Sequence, residues 1–342
     1  MKPPHGEIEL LPTDTPRQLA SGVERAAHEL REGGVVALPT ETVYGLAANA
    51  FDPAAVQRIF EIKGRPAHNP IIVHVDSLEM ARNCVARWTD CAAKLAQAFW
   101  PGPLTMVLPK SDSIPPLVTA GGNTVGIRWP SHPLMQAVIR ECGFPLAAPS
   151  ANLSNRISPT NAKHVCAQLA GRLGLVLDGG QCQVGIESTV VDISVTPARL
   201  LRPGMIHETA LLAVLPDLVI GADTSPRTLK SPGQLKKHYA PKAHLIILHW
   251  ESDTDLRIKL AASDIAAGTS HVIVHTRIPS DQGFGRVSVI PHDPEAFARA
   301  LYSEWHACDQ AGAKTIVMEA LPKTPEWRAI ADRLRRAATQ EN

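Results

Sequence analysis

Short apolar runs, each cut off by proline or glycine and followed at once by a polar cluster, set the terms for this chain. Residues 35–38 (Val35-Val36-Ala37-Leu38) stop at Pro39, the run 71–75 follows Pro70, and 104–108 ends at Pro109. Runs this short, without polar alternation, read as strands buried on both faces. Between them lie stretches with helical spacing. In 15–32, Leu19, Val23, Ala26, Ala27 and Leu30 recur every three or four positions, and Gly33-Gly34 closes the segment. The same reasoning predicts helices at 53–63, 78–87, 90–99, 133–141 and 161–170, and further strands at 124–128, 145–148, 175–177, 189–193 and 199–201. The elements do not alternate strictly, so the expected fold is α/β: a twisted mixed sheet with helices on its faces.

Past residue 207 the texture changes. A helix is expected at 207–214, and 216–243 is rich in Pro, Gly, Ser and Lys, as a linker is. Its later part, 225–244, carries Arg227, Lys230, Lys236, Lys237 and Lys242 without one acid. A fresh βα pattern follows, with strands at 244–248, 271–275 and 314–318 and helices at 253–267, 294–311 and 325–338. That is a small three-layer, Rossmann-like α/β unit of about 100 residues, an ordinary domain size. The expected organisation is a domain at 1–207, a basic linker at 208–243 and a second domain at 244–342.

Composition excludes several classes. Of the 342 residues, 44% are hydrophobic and 20% charged, as in a globular protein and unlike a disordered chain or a coiled-coil rod. Lys and Arg total 34 against 33 Asp and Glu, so the chain lacks the basic excess of a protein that coats nucleic acid. No apolar run approaches the roughly 20 residues that cross a bilayer. Residues 1–9 hold prolines and two acids rather than the apolar core of a signal peptide, so a soluble, cytoplasmic protein is expected. The six cysteines show no C-x-x-C pair, and small buried hydrophobes explain them better than a metal site or disulfides.

No phosphate-binding glycine loop, zinc motif or nucleophile elbow is present. The chemistry must lie in the polar clusters at the strand ends. Pro39-Thr40-Glu41-Thr42-Val43-Tyr44 crowds two hydroxyls, a carboxylate and a phenol at one exit. Lys63-Gly64-Arg65-Pro66-Ala67-His68-Asn69-Pro70 presents two cations and an amide on a proline-stiffened loop, suited to phosphate oxygens. His74 lies within the strand that follows. Arg128 ends an apolar strand, 149–160 is a run of small hydroxyls and amides, and Glu187-Ser188-Thr189 and Arg202-Pro203-Gly204 flank two further strands. Singly, each has a structural explanation: a turn, a helix cap from Ser158 or Thr160, a core histidine, a buried ion pair. Together they set Lys63, Arg65, Arg128 and Arg202 at neighbouring strand ends, where ligands of open α/β sheets lie. Four cations there imply an anionic ligand, most simply a nucleoside triphosphate.

The same clusters in the same order resemble the threonylcarbamoyl-AMP synthase family, in its two-domain long form with a YrdC-like N-terminal domain. The segments are LPTETVYGLAANA (38–50), IKGRPAHNPIIVHV (62–75), FWPGPLTMVLP (99–109), TVGIRWPSHP (124–133), APSANLSNRISPT (148–160), VGIESTVVDI (184–193) and LLRPGMI (200–206). SPGQLKKHYAPKA (231–243) is similar to the linker motif of the long form, with Gln234 where the family more often has Met. The resemblance implies a large, positively charged concave cavity and an enzyme that joins L-threonine, bicarbonate and ATP into L-threonylcarbamoyladenylate, an intermediate of threonylcarbamoyladenosine in tRNA. It implies that Thr42, His74, Arg128 and Ser188, with the backbone at Ala148, contact threonine. It implies that Lys63, Arg65, Asn69, Thr124, Ser150, Asn152, Ser158 and Arg202 hold ATP, and that Tyr239 and His238 of the linker cover it. Mg²⁺ is expected on the phosphates rather than on the protein, and no tightly bound organic cofactor is expected. The tRNA threonylcarbamoyl-transferase machinery would consume the product. The rival reading is a non-catalytic protein that binds double-stranded RNA or tRNA by shape and phosphate contact.

Overall fold

The computed structural model describes residues 6–221, 239–280 and 282–338. Two compact units emerge: Met1–Ser154 with Ser158–Gln234, and Asn155–Ile157 with Leu235–Asn342. The first continues beyond residue 207 through the helix Glu208–Val214 and one more strand. The linker residues 222–238, His238 among them, lie outside the described residues.

The first unit is built on β1 (Glu9–Pro12), β2 (Val36–Leu38), β3 (Gly45–Asn49), β4 (Ile72–His74), β5 (Leu104–Pro109), β6 (Thr124–Arg128), β7 (Leu146–Ala147), β8 (Leu175–Asp178), β9 (Thr189–Asp192), β10 (Arg199–Arg202) and β11 (Val219–Ile220). They form one sheet in the order β1-β8-β2-β3-β7-β4-β6-β5-β9-β10-β11. Parallel and antiparallel pairings are interleaved: β4 runs parallel to β6, and β5 antiparallel to β6 but parallel to β9.

Period two sorts the side chains of this sheet between its faces. Ala37, Leu46, Ala48, Val73, Met106, Val125, Ile127, Ala147 and Val191 belong to the main core on one side. Their strand neighbours Val36, Leu38, Ala47, Leu146, Ala148, Leu175 and Leu177 form a second core with the helices Pro16–Arg31 and Pro133–Cys142. That second core covers only the β8–β2–β3–β7 part of its face. Further along, the same face carries His74, Arg128, Thr105 and Val190, paired by register across β4, β6, β5 and β9.

Local chemistry starts and stops the helices that serve the site. Pro16–Arg31 opens on a capping box, the Thr15 side chain accepting from Gln18 N while Gln18 reaches back to Thr15 N. Asp52 caps Pro53–Lys63, accepting from Ala54 N at 2.8 Å. This helix buries Ala55, Val56, Ile59, Phe60 and Lys63, so the lysine occupies a position of the apolar stripe. Gly64 ends it at φ +58°, a left-handed conformation that favours glycine, and turns the chain into the cationic loop.

Four strands escaped the sequence reading: β1, β3, β11 and, in the second unit, β14 (Arg286–Val289). β3 reads Gly-Leu-Ala-Ala-Asn, with nothing β-branched. It is a strand because it is enclosed between β2 and β7, a tertiary override of weak propensity. β1, β11 and β14 are short strands at sheet edges.

The second unit pairs β12 (His244–Leu248), β13 (Ser270–Val274), β14 and β15 (Thr315–Glu319) in the all-parallel order β12-β15-β13-β14. Val272, Val274 and Val317 pack with Trp250, Leu256 and Leu260 on one face. Ile273, Ile316 and Met318, which point the other way, are equally buried, so both faces are covered. Among the described residues no helix is long and apolar enough to cross a membrane.

Candidate active site

The site grows from the open part of the second sheet face. Arg128 ends β6 beside His74, its register partner at the end of β4. Only 4% of Arg128 is exposed, and its Nη1 donates to Thr42 Oγ1 at 2.8 Å. Thr42 is itself held by Thr40, whose Oγ1 lies 2.9 Å from Thr42 Oγ1 and accepts from Thr42 N at 3.1 Å. Arg128 Nη2 lies 2.8 Å from Glu41 Oε2, an ion pair with both side chains buried. The approach is close but off line: among the described residues neither Glu41 oxygen, nor Arg128 Nε or Nη2, has a hydrogen-bond partner. His74 Nδ1 is likewise unpartnered. Burial, with Arg128 adding repulsion, pulls the His74 imidazole down to about 3, so the ring is neutral at physiological pH.

Two steps along the sheet, Thr105 Oγ1 and Ser188 Oγ are 2.8 Å apart. Arg202 clasps the same serine, Nη2 donating to Ser188 Oγ and Nε to Ser188 O, both at 3.0 Å. From β4 to β10 this row crosses four strand spacings of about 4.8 Å, roughly 19 Å in all. At its centre Gly126 faces the site between Ile72 and Thr105. A Cβ there would meet Thr105 Cγ2 at 3.2 Å, so the sheet surface is lowest where a ligand would cross it.

The cationic loop closes one end. Lys63 Nζ donates to Ser150 O, and to Asn152 O at 2.6 Å, fastening the small-residue run to the helix end. Burial, reinforced by Arg65, pulls the Lys63 amine well below its ordinary range. Arg65 donates from Nε to Asn69 O at 3.1 Å and from Nη2 to Pro70 O at 2.7 Å. Asn69 is 1% exposed, and among the described residues its amide nitrogen and oxygen both lack hydrogen-bond partners. Thr124 opens β6 at the opposite end from Arg128 and pairs with Pro109 of β5. Ser158, fully buried, donates to Glu187 Oε1 at 2.6 Å rather than capping a helix; Asn161 takes that role, accepting from His164 N. Ala148 N donates to Ile72 O at 3.0 Å, holding β7 against β4 below His74.

Contacts and register thus gather Thr42, His74, Arg128, Ser188, Arg202 and Ala148 on one face, with Lys63, Ser150 and Asn152 as a second group and Arg65 and Asn69 as a third, while Thr124 stands at the start of β6. Tyr239 belongs to the second unit. It is 1% exposed, has φ +64°, and packs its ring against Tyr302 at 6.0 Å and beneath Arg333 at 5.5 Å.

Residues 28–204 match the Sua5/YciO/YrdC family, described as telomere recombination, and 205–339 match the threonylcarbamoyl-AMP synthase C-terminal domain. A threonylcarbamoyl-AMP synthase of Pyrococcus abyssi is 38% identical over 322 residues, covering 92% of this chain and 93% of its own. The chain belongs to the threonylcarbamoyl-AMP synthase family. A Bacillus subtilis synthase of the same name is 40% identical over 327 residues, with 92% of each chain covered. The crystal structure of P. abyssi Sua5 complexed with L-threonine superposes with a TM-score of 0.87 at 36% identity, covering 97% of this chain and 98% of that one.

Within this synthase fold, three site residues were not singled out by sequence. Glu41, Glu187 and Thr105 each contact a residue that was: Arg128, Ser158 and Ser188. The two acids stand inside the polar clusters at 39–44 and 187–189, and their signal is a carboxylate where the local pattern is apolar or hydroxylic. Thr105 had a fainter one, a lone hydroxyl within the apolar strand 104–108.

Proposed function

We propose that this protein condenses L-threonine, bicarbonate and ATP into L-threonylcarbamoyladenylate with release of pyrophosphate, the adenylate serving threonylcarbamoyladenosine formation in tRNA. The observation that carries the reading is Arg128: a buried guanidinium, ion-paired with Glu41 through Nη2, whose Nε and Nη2 have no hydrogen-bond acceptor among the described residues, set beside Thr42 and a neutral His74. A guanidinium edge of that kind fits a carboxylate in two-point contact.

The reaction needs no covalent enzyme intermediate. The threonine ammonium loses a proton, its nitrogen adds to the bicarbonate carbon, and water leaves to give a carbamate. A carbamate oxygen then attacks the α-phosphorus of ATP, the bond from that phosphorus to the bridging oxygen breaks, and pyrophosphate departs. Two anions must be aligned against their repulsion, which is work for positioned cations rather than for a nucleophile. Arg128 takes the threonine carboxylate. Thr42, His74 and Ser188 fix its orientation, with Ala148 as the floor. Burial and Arg128 keep the His74 ring neutral, which suits it to orient the substrate.

Arg65 and Arg202 neutralise the phosphates, whose negative charge favours the ammonium form of Lys63 beside them, and Asn69, Thr124, Ser150, Asn152 and Ser158 hold the rest of ATP. The nucleotide would enter as MgATP, since Mg²⁺ bound to phosphates keeps mostly water ligands and asks little of the protein.

Pyrophosphate release from MgATP, with threonine and bicarbonate omitted in turn, tests this. Release that needs both is expected. Release indifferent to threonine points to another amine substrate, and no release moves the weight to RNA binding, which none of the relatives described above is named for.

A further inference from the structure

We propose that Glu41 receives the ammonium group of the amino-acid substrate and thereby makes the site selective for a zwitterion over a plain carboxylate. The inference rests on the threonine reading above and deepens it.

Glu41 is 6% exposed, and its backbone oxygen accepts from Val184 N at 2.7 Å, so the residue is pinned and its side chain directed. The carboxylate meets Arg128 Nη2 at 2.8 Å, yet among the described residues neither oxygen has a donor in line. Other titratable groups that feel Glu41 do not meet this need. His132 is held below its ordinary range by burial and uses Nδ1 to accept from Leu134 N, capping its own helix, and the Cys182 thiol is pushed up by burial. A buried carboxylate with no hydrogen bond is costly, and a close ion pair out of line offsets only part of that cost. The same holds for Arg128, which spends Nη1 on Thr42 and leaves Nε and Nη2 open.

One ligand satisfies both groups at once. An α-amino acid carries a carboxylate and an ammonium on the same carbon. The first matches the open edge of Arg128, and the second brings three donors to the acceptors of Glu41. Because Glu41 and Arg128 already touch, the substrate lies beside the pair and the charges alternate around a closed ring: guanidinium, substrate carboxylate, substrate ammonium, Glu41. An analogue without the amine brings a second carboxylate beside Glu41 and offers its oxygens nothing.

The competing role for Glu41 is to hold Arg128 in place. Calorimetric titration with L-threonine and with 3-hydroxybutyrate, which is threonine without its amino group, separates the two. The wild-type protein is expected to bind threonine at least 10-fold more tightly. Glu41→Gln is expected to weaken threonine roughly 10- to 100-fold, the worth of a charge-assisted contact, while 3-hydroxybutyrate is unchanged or tighter. Equal weakening of both ligands in Glu41→Gln overturns the proposal in favour of the holding role, and so does no weakening of either. If Glu41→Gln melts too low to titrate, the wild-type comparison still decides, because equal affinity for the two ligands overturns the proposal. A wild-type protein that binds no threonine removes the threonine reading and this inference together, whereas threonine binding without discrimination removes only the inference.

Discussion

Replacing Arg128 with methionine is expected to cost far more stability than a surface arginine would, because it strands a buried carboxylate. Glu41 and Arg128 side chains are 8% and 5% exposed at 2.8 Å. Removing one partner of a buried pair costs about 3–5 kcal/mol, since the remaining charge keeps its desolvation penalty and loses its compensation. Each kcal/mol lowers the melting temperature of a domain this size by about 2–4 °C, so Arg128→Met should melt roughly 6–20 °C below the wild type. The decisive variant is the double replacement Arg128→Met with Glu41→Leu. Exchanging a buried ion pair for apolar groups of similar volume is often neutral, so the double variant should recover at least about 2 kcal/mol of the single loss. It should also show no threonine-dependent pyrophosphate release, which would separate the pair's functional role from stability. Scanning calorimetry of the four proteins at one pH and salt concentration makes the comparison. Additive losses would refute the reasoning, because they would mean the two charges are solvated well enough not to need each other.

Three further outcomes are expected. Lys63→Ala removes the donor to Ser150 O and Asn152 O, so it should raise the KM for ATP at least 10-fold and lower stability by about 1–3 kcal/mol, readable from initial rates and urea unfolding. Gly64→Ala should cost only about 1 kcal/mol in the same urea assay, since φ is +58° but nothing lies within 4 Å of the added methyl. His74 is neutral when folded, at about 3, but titrates near 6.5 when unfolded. The unfolded chain therefore binds the extra proton between those values, and the stabilisation from a neutral His74 is complete above about 6.5. It is lost as pH falls toward 3, by up to roughly 5 kcal/mol. Unfolding free energies of wild type and His74→Asn from pH 7 to pH 4 should diverge by that sense, and parallel curves would count against a buried neutral ring.

The positions of the site were legible because polar residues interrupt apolar patterns there. Lys63 is the clearest instance: Val56, Ile59 and Phe60 set the buried stripe of the helix, and Lys63 falls on it, so its amine must end inside and find acceptors. Arg128 and His74 close apolar strands, and period two assigns them a face once the strands are known. What one chain could not reveal is pairing. Arg128 and Thr42 are 86 residues apart, and nothing in either segment names the other. The contact exists because β6 lies next to β4, β4 next to β7 and β7 next to β3, and β3, whose glycine and alanines carry the weakest strand signal, is a link in that chain. With β3 unseen, the Thr40–Thr42 turn before it reads as an ordinary cap, and Glu41 reads as one more polar residue within it. With β3 in place between β2 and β7, the turn projects onto the face of Arg128. A carboxylate there has no solvent and, among the described residues, no hydrogen-bond donor until an ammonium arrives. Register, rather than composition, decides which of the legible polar residues confront each other, and at this site that confrontation is what distinguishes an amino acid from any other anion.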